Sequence, residues 1–321
     1  MAEVNGKRTA APSGLARKPR SPLGDAWREF LKNKIAVGSG IFIILLTIIA
    51  IFAPLFAPEG IDDQKLADNY QEPGARYLLG ADQFGRDILS RVIFGTRISL
   101  SVAFVAAAVS LVIGITYGLI SGYLGGVVDS IMMRIVDIIY GFPFLIFVIL
   151  LQVYFKAVAA RGTGGVAAPL VRLDQQMGGM LFVFIAIGAF YWIDRARIAR
   201  GQVLANKEKE FVLAAESIGA SNTRVIFRHL LPNVLGPCII AETMAIPGYI
   251  FTEAFLSYIG LGVNAPFPSW GMMVNKAQRS MRAHPHVLWP PAIALTATTL
   301  AFNFVGDGLR DAFDPRLRGR G

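Results

Sequence analysis

The chain has 321 residues, of which 54% are hydrophobic and only 17% charged, and it carries a net charge of +9. With Gly counted and Tyr left out, roughly 61% is apolar, against about 45–50% in soluble domains. So few charges cannot cover a soluble surface, and a disordered chain would be far more polar; composition specifies an integral membrane protein rather than the two soluble domains the length suggests.

Residues 1–24 hold Lys7, Arg8, Arg17, Lys18 and Arg20 among Pro, Gly and Ala, and read as a disordered tail. Over 25–34, Trp27, Phe30 and Leu31 fall on one helical face, ringed by Arg28, Lys32 and Lys34. That pattern predicts an amphipathic helix on an anionic membrane surface; a helical extension of the first span is the competing reading. Residues 35–57 carry no charge and predict that span. Pro54 and Pro58 stand where a signal peptide would place small residues, so it is read as uncleaved. Residues 58–97 form a polar, acidic loop, and 98–122 predict the second span. Gly114, Gly118, Gly122 and Gly126 recur every four residues, which places them on one face where another helix can approach closely.

The third predicted span, 127–155, contains Arg134 and Asp137, spaced to pair on one helix face. A Gly/Ala-rich loop, 156–178, and a fourth span, 179–198, follow. Residues 199–233 are polar, basic and helix-prone. The fifth span, 234–261, holds Glu242 and Glu253 on either side of Pro247-Gly248, where a kink is predicted. Ionisable groups inside a membrane face a water-filled path or a partner charge. Glu242, Pro247, Gly248 and Glu253 are therefore the candidate translocation pathway, with structural pairing to another subunit as the alternative. Loop 262–286 and a sixth span, 287–305, precede a charged tail, 311–321. The reading is an all-α bundle of six transmembrane helices over 35–310.

Six spans put both termini on one side. Nineteen of the 31 Lys and Arg fall on that side, and eleven in the loops 58–97, 156–178 and 262–286. The positive-inside rule makes the richer side cytoplasmic and accounts for the basic charge without nucleic acid. The chain has no phosphate-binding G-x-x-x-x-G-K-[ST] loop and no H-E-x-x-H or G-x-S-x-G pattern. His229, His284 and His286 lack metal-ligand spacing, and the lone Cys238 excludes an intrachain disulfide and reads as a buried packing residue. No catalytic residue, metal ligand or cofactor is predicted. A nucleotide-independent secondary transporter, and a membrane enzyme using Asp137 and Asp307, are the rival classes.

Loop 199–233 is the most informative segment. Lys207 to Ser217 predicts a short helix with Phe211, Ala214, Ala215 and Ile218 on one face. Gly219 can end it with a positive φ, and Ser221 can cap a second helix running to Pro232. A small apolar face of this kind fits a partner's groove; a helix lying on its own bundle is the alternative.

Ala214-Ala215, Gly219 and Leu231-Pro232 resemble the EAA loop of ABC-importer permeases, with Leu213 where that family usually has Glu and His229 where it has Ile. Phe227-Arg228-His229-Leu-Leu-Pro232-Asn233 is similar to the dipeptide/oligopeptide subfamily. So are Leu79 to Arg91, Phe255 to Gly262, Pro268-Ser269-Trp270-Gly271, Asn303 to Asp311 with Asp314-Pro315-Arg316, and Ala26-Trp27-Arg28 with Asn33-Lys34. The resemblance implies the second permease of a peptide importer in a prokaryotic inner membrane. It implies a related first permease, two cytoplasmic ATPase domains holding ATP and Mg, an external solute-binding protein and a peptide substrate, all in membrane lipid. A nickel or metal-chelate importer is the near alternative. Phe211, Ala214, Ala215, Glu216, Gly219, Arg228, His229 and Pro232 are then the ATPase-coupling residues. The loop 156–178 is longer than usual in that family and is assigned no role.

Overall fold

The computed structural model describes residues 22–160 and 168–313. Of the expected disordered tail 1–24, residues 1–21 lie outside the described residues, as do the centre of the 156–178 loop and Asp314-Pro315-Arg316, while 22–24 are instead the start of a helix. The rest is helix and loop, with one isolated bridge between Ala81 and Asp87.

Helix α1 is Pro22–Lys32. Its predicted face is divided. Phe30 turns inward with Ala26 against Leu309, Ala312 and Phe313, while Trp27 and Leu31 stay exposed. Gly308 makes the inward contact possible, because a Cβ there would meet Ala36 Cβ at 2.4 Å and the Phe30 ring at 3.2 Å. Asn33 caps α2, Lys34–Ile51, by accepting from the Ala36 N–H at 3.1 Å. A short α3, Ala53–Phe56, ends the first crossing.

Helix α4, Ile88–Leu124, has 37 residues and starts ten positions before the predicted span. Asp87 starts it early by accepting from Ser90 N at 2.8 Å and Ser90 Oγ at 2.6 Å. At about 1.5 Å per residue it is longer than a hydrocarbon core of about 30 Å, so its charged first turns project beyond the apolar layer. The third predicted span is two helices, α5 (Gly126–Tyr140) and α6 (Phe144–Ala160), bent by 77°. The break is Gly141-Phe142-Pro143, where Pro143 has no N–H and disfavours a helical residue before it. Helix α7, Ala168–Gln176, meets α8, Met180–Asn206, at 108° through Gly178 and Gly179, both at positive φ.

Three elements follow: α9 (Glu210–Ser217), α10 (Asn222–Arg224) and a π-helical turn, Val225–Leu230. They lead into α11, Leu231–Tyr258, which runs unbroken through Pro237 and Pro247. Among the described residues the sharp bends, 77° and 108°, thus fall in the third and fourth crossings, not at Pro247-Gly248. Ser269 caps α12, Trp270–Ala277, and α13, Trp289–Phe313, closes the described chain. Among the described residues four helices are long and apolar enough to cross a membrane, and the two bent pairs bring the number to six when each counts as one crossing.

Helix α4 lies at the centre, packed on α8 and α11. Leu100, Ala103, Ala106, Val183, Ile187, Tyr249 and Ile250 form the core they share. The glycine face is what seats α8. A Cβ at Gly118 would lie 2.4 Å from Ala196 O, and one at Gly114 2.4 Å from Arg195 Cβ. At Gly122 the nearest atom is Val203 Cβ at 2.9 Å. Gly126 does not belong to this face. Gly125 ends α4 at φ +65°, Gly126 opens α5 at φ +55°, and a Cβ on it meets nothing within 4 Å among the described residues. Ile41, Ile44, Leu45 and Ile48 of α2 and Val112 of α4 stay exposed, an apolar exterior suited to lipid.

Candidate functional site

Helix α9 hangs beyond the ends of α4 and α8, and its two sides differ. Val212 and Ala215 face inward and are buried, Ala215 at 4% exposure. Phe211 and Ala214 are exposed, and Ile218, just past the last turn, is 86% exposed. The expected four-residue face is therefore corrected: Phe211, Ala214 and Ile218 share the open side, and Ala215 belongs to the root. Spacing alone put adjacent Ala214 and Ala215 together; Val212, three before Ala215, decides which way the helix turns. Gly219 ends the helix at φ +81°, with its N–H bonded to Glu216 O at 2.9 Å and Ala220 N–H to Ala215 O at 3.1 Å. Ser221 caps α10 through Arg224 N. The second helix does not stop at Pro232. The π-helical turn runs directly into α11, whose first turn holds Pro232, so the segment flows into the fifth crossing. Arg228 and Pro232 are exposed, and the carbonyl of half-buried His229 accepts from Asn233 Nδ2 at 2.7 Å.

Sequence reasoning missed how α9 is fastened. Val212 enters a cluster with Ile115 and Leu119 of α4, Val203 of α8, and Val225 and Leu230. The Tyr123 hydroxyl at the end of α4 lies 3.1 Å from Glu216 Oε1 and 3.2 Å from Asn222 Oδ1, bridging both sides of the Gly219 turn. Beside it, Arg200 of α8 grips Asp129 of α5 through Nε at 2.6 Å and Nη2 at 2.5 Å, and Ser121 of α4 donates to the same carboxylate. Asp137 also pairs across helices. Its partner is Arg197 at 2.9 Å, stacked 4.5 Å over the Tyr140 ring, and not Arg134. Arg134 instead lines a shallow open hollow on α5. An i,i+3 spacing permitted the predicted pair, but α8 brings Arg197 to Asp137 first.

Glu242 and Glu253, expected on a pathway, are turned into the bundle. Glu242 receives the Tyr249 hydroxyl at 2.7 Å, lies 3.2 Å from Ser110 Oγ, and faces Arg195 Nε at 2.9 Å. That last contact is an ion pair whose alignment falls short of a hydrogen bond. Glu253 is fully buried and accepts from Ser99 at 3.0 Å and Ser257 at 2.7 Å. The opposite side of α11 is open. Met244, Gly248, Phe251 and Phe255 line it, and Pro247 is half-buried beside them.

At the other end of the bundle, the loop 57–87, the start of α4, α12 and the segment after it pack together. Tyr70 stacks on His284 with centroids 4.2 Å apart, and Trp270 Nε1 donates to Val92 O at 3.2 Å. Burial, helped by the Arg86 and Arg91 charges, holds the Lys276 amine below its ordinary pKa. Burial and the bond to Asp68 push the Tyr77 phenol up.

The family model described as a binding-protein-dependent transport system inner membrane component matches residues 114–319. That for the N-terminal TM domain of oligopeptide transport permease C matches residues 21–73. The chain is 40% identical to the dipeptide transport system permease protein DppC of Bacillus subtilis, over 98% of this chain and 92% of that one. It is 42% identical to the oligopeptide transport system permease protein OppC of Escherichia coli, over 93% of each. It is 37% identical to the glutathione transport system permease protein GsiD of an Escherichia coli strain, over 99% of this chain and all of that one. Helical crossings, a helix rooted beyond the bundle and these matches over nearly the whole length agree: the chain belongs to the family of binding-protein-dependent transport system inner membrane components, on the branch of the peptide permeases.

Proposed function

We propose that the chain is one of two permeases in an ATP-driven peptide importer, and that α9 receives the work of a cytoplasmic ATPase. The observation that carries this is the two-sided character of α9: Phe211, Ala214 and Ile218 lie open while Val212 and Ala215 root the helix in the ends of α4 and α8. An isolated surface helix would bury its larger apolar side chains; here they are presented. The named relatives carry dipeptides, oligopeptides and glutathione, so the substrate class proposed is short peptides, with selection left to an external binding protein.

In this reading both termini and α9 are cytoplasmic, as the Lys and Arg distribution favours. The partners are a related permease, two ATPase domains that bind ATP and Mg, and the external binding protein. A displacement of α9 passes through Val212 into α4 and α8, and through Tyr123 into the end of α4. Arg200–Asp129 and Arg197–Asp137 make α5 follow α8. Glu242 and Glu253 hold α11 to the same unit, so the open side at Met244, Gly248, Phe251 and Phe255 moves as one wall toward the second permease. For such coupling the ATPase must bind α9 differently in its two states.

Ala214→Glu tests the reading. It puts charge on the open side without entering the core. In the reconstituted complex, ATPase activity stimulated by peptide-loaded binding protein should fall at least about tenfold, a loss of about 1.4 kcal/mol of coupling. Full stimulation in a correctly folded variant would place docking elsewhere.

A further inference from the structure

At the end of the bundle opposite α9, three cations meet around one small hollow: Arg86 from the loop 57–87, Arg91 from the second turn of α4 and Lys276 from α12. Tyr70, Gln83, Asp82 and Ser280 complete its polar wall. Among the described residues Asp82 is the one carboxylate on that wall, and Arg86 already occupies it. Its oxygens accept from Arg86 Nε at 2.8 Å, Arg86 Nη2 at 2.5 Å, Arg86 N at 3.2 Å and Phe84 N at 2.8 Å. Arg91 reaches it only at 3.7 Å through Nε, and Arg91 Nη1 is buried with no hydrogen-bond partner among the described residues. The Arg91 residue is 3% exposed. Among the described residues Lys276 has no carboxylate within ion-pair distance, and Asp62 acts on Arg91 only from further off.

Buried cations are normally paired, and an unpaired one is among the costlier defects a fold can hold. Here Arg91 is buried and Lys276 half-buried, the wall carries two more cations than carboxylates, and Arg91 stands near the N-terminus of α4, where the helix dipole adds to it. The hollow has about 20 Å³ of free volume, room for one water-sized group. A carboxylate oxygen is of that size and would complete the bonding of both free donors.

We propose that this hollow is a carboxylate-binding site, with Arg91 Nη1 and Lys276 Nζ as donors, filled on docking by an acidic side chain of the external binding protein. The chemistry of the site stands on its own residues; only the source of the carboxylate rests on the proposed function. The hollow lies among the loops that, in that reading, face the binding protein, and an acidic side chain is the complement of its charge.

The test follows acylation of Lys276 by an N-hydroxysuccinimide ester, read by peptide mass spectrometry on the full permease complex in lipid nanodiscs. Sodium acetate, against sodium chloride at equal ionic strength, should slow Lys276 labelling about threefold at twice the acetate Kd and leave Lys32 and Lys207 unchanged. Equal rates at Lys276 would overturn the site. Arg91→Gln should abolish the protection; if that variant does not fold, Lys276→Gln must remove an acetate-dependent rise in Tm that the unmodified complex shows. Peptide-loaded binding protein should protect Lys276, and free peptide should not. Protection by free peptide, lost on amidating its C-terminus, would transfer the site to the substrate and overturn the partner. Protection by acetate alone would reduce it to a small-anion site and overturn the partner equally. A failure of α9 to dock an ATPase leaves every one of these results unchanged.

Discussion

Gly118→Ala is predicted to pry α4 from α8. The added Cβ would sit 2.4 Å from Ala196 O, 2.6 Å from Ala199 Cβ and 2.8 Å from Arg200 N, whereas ordinary contact begins at 3.4 Å. Two of these three atoms are backbone, so no side-chain rotation relieves the clash; the helices must separate by about 1 Å. Overpacking of this kind costs about 1–3 kcal/mol, and rigid neighbours put it in the upper half of that range. Replacing a helical Gly returns about 1 kcal/mol of helix propensity, so the net loss is about 1–2 kcal/mol. Gly38→Ala in α2 is the control, since its Cβ meets nothing within 4 Å; it should be neutral or gain up to about 1 kcal/mol. Gly122→Ala falls between, because its nearest atom is the Val203 side chain at 2.9 Å. The assay is reversible unfolding in mixed micelles, with the three variants ranked. If Gly118→Ala were as stable as Gly38→Ala, the close α4–α8 approach would be wrong, and with it the transmission route from α9.

Ala215→Glu should differ from Ala214→Glu in kind: it drives a charge into the Val212 cluster, so folded yield falls, while Ala214→Glu yields normally and loses only coupling. Equal yields would mean that the two sides of α9 are not distinguished. Arg195→Met should cost about 3–5 kcal/mol, because it strands the buried Glu242 carboxylate, and adding Glu242→Gln should restore most of that; a double variant no better than the single would show that the pair is not the tie. Lys276 adds a pH dependence. Its folded pKa lies below the unfolded value of 10.5, so the unfolded chain binds the proton more readily and stability rises as pH climbs through that interval. Lys276→Gln should flatten the rise in Tm, and an unflattened curve would assign the dependence to another group.

The crossings were legible because uncharged runs near 20 residues have few other uses, and the loop carrying α9 because its helix formers end at a glycine that adopts φ +81°. What the sequence did not disclose is tertiary. The 37 residues of α4 hide behind Arg91 and Arg97, which read as loop because the capping by Asp87 leaves no hydropathy signal. The 77° break after Tyr140 rests on Gly141 and Pro143, a weaker display than Pro247-Gly248, yet α11 absorbs its prolines and the third crossing does not. Asp137 had a cation at i−3 and took another helix's instead. The Gly114 face was correct for three residues and ran one too far, since periodicity continues in the sequence after the helix has stopped. Glu242 shows the same limit. Its position inside a crossing was clear, but only the fold reveals Arg195 and Tyr249 beside it.

The central claim is that the open side of α9 meets the ATPase, and labelling tests it most directly. Cys238 is the chain's one cysteine and is buried, so Ile218→Cys introduces a single accessible thiol at a position 86% exposed. Maleimide should label it rapidly in the permease pair alone and at least about tenfold more slowly once the ATPase subunits are bound, the mark of a thiol bound for more than nine-tenths of the time. Nucleotide should change the rate further. Labelling at one rate with and without the ATPase, in a complex shown to be assembled, would contradict the account.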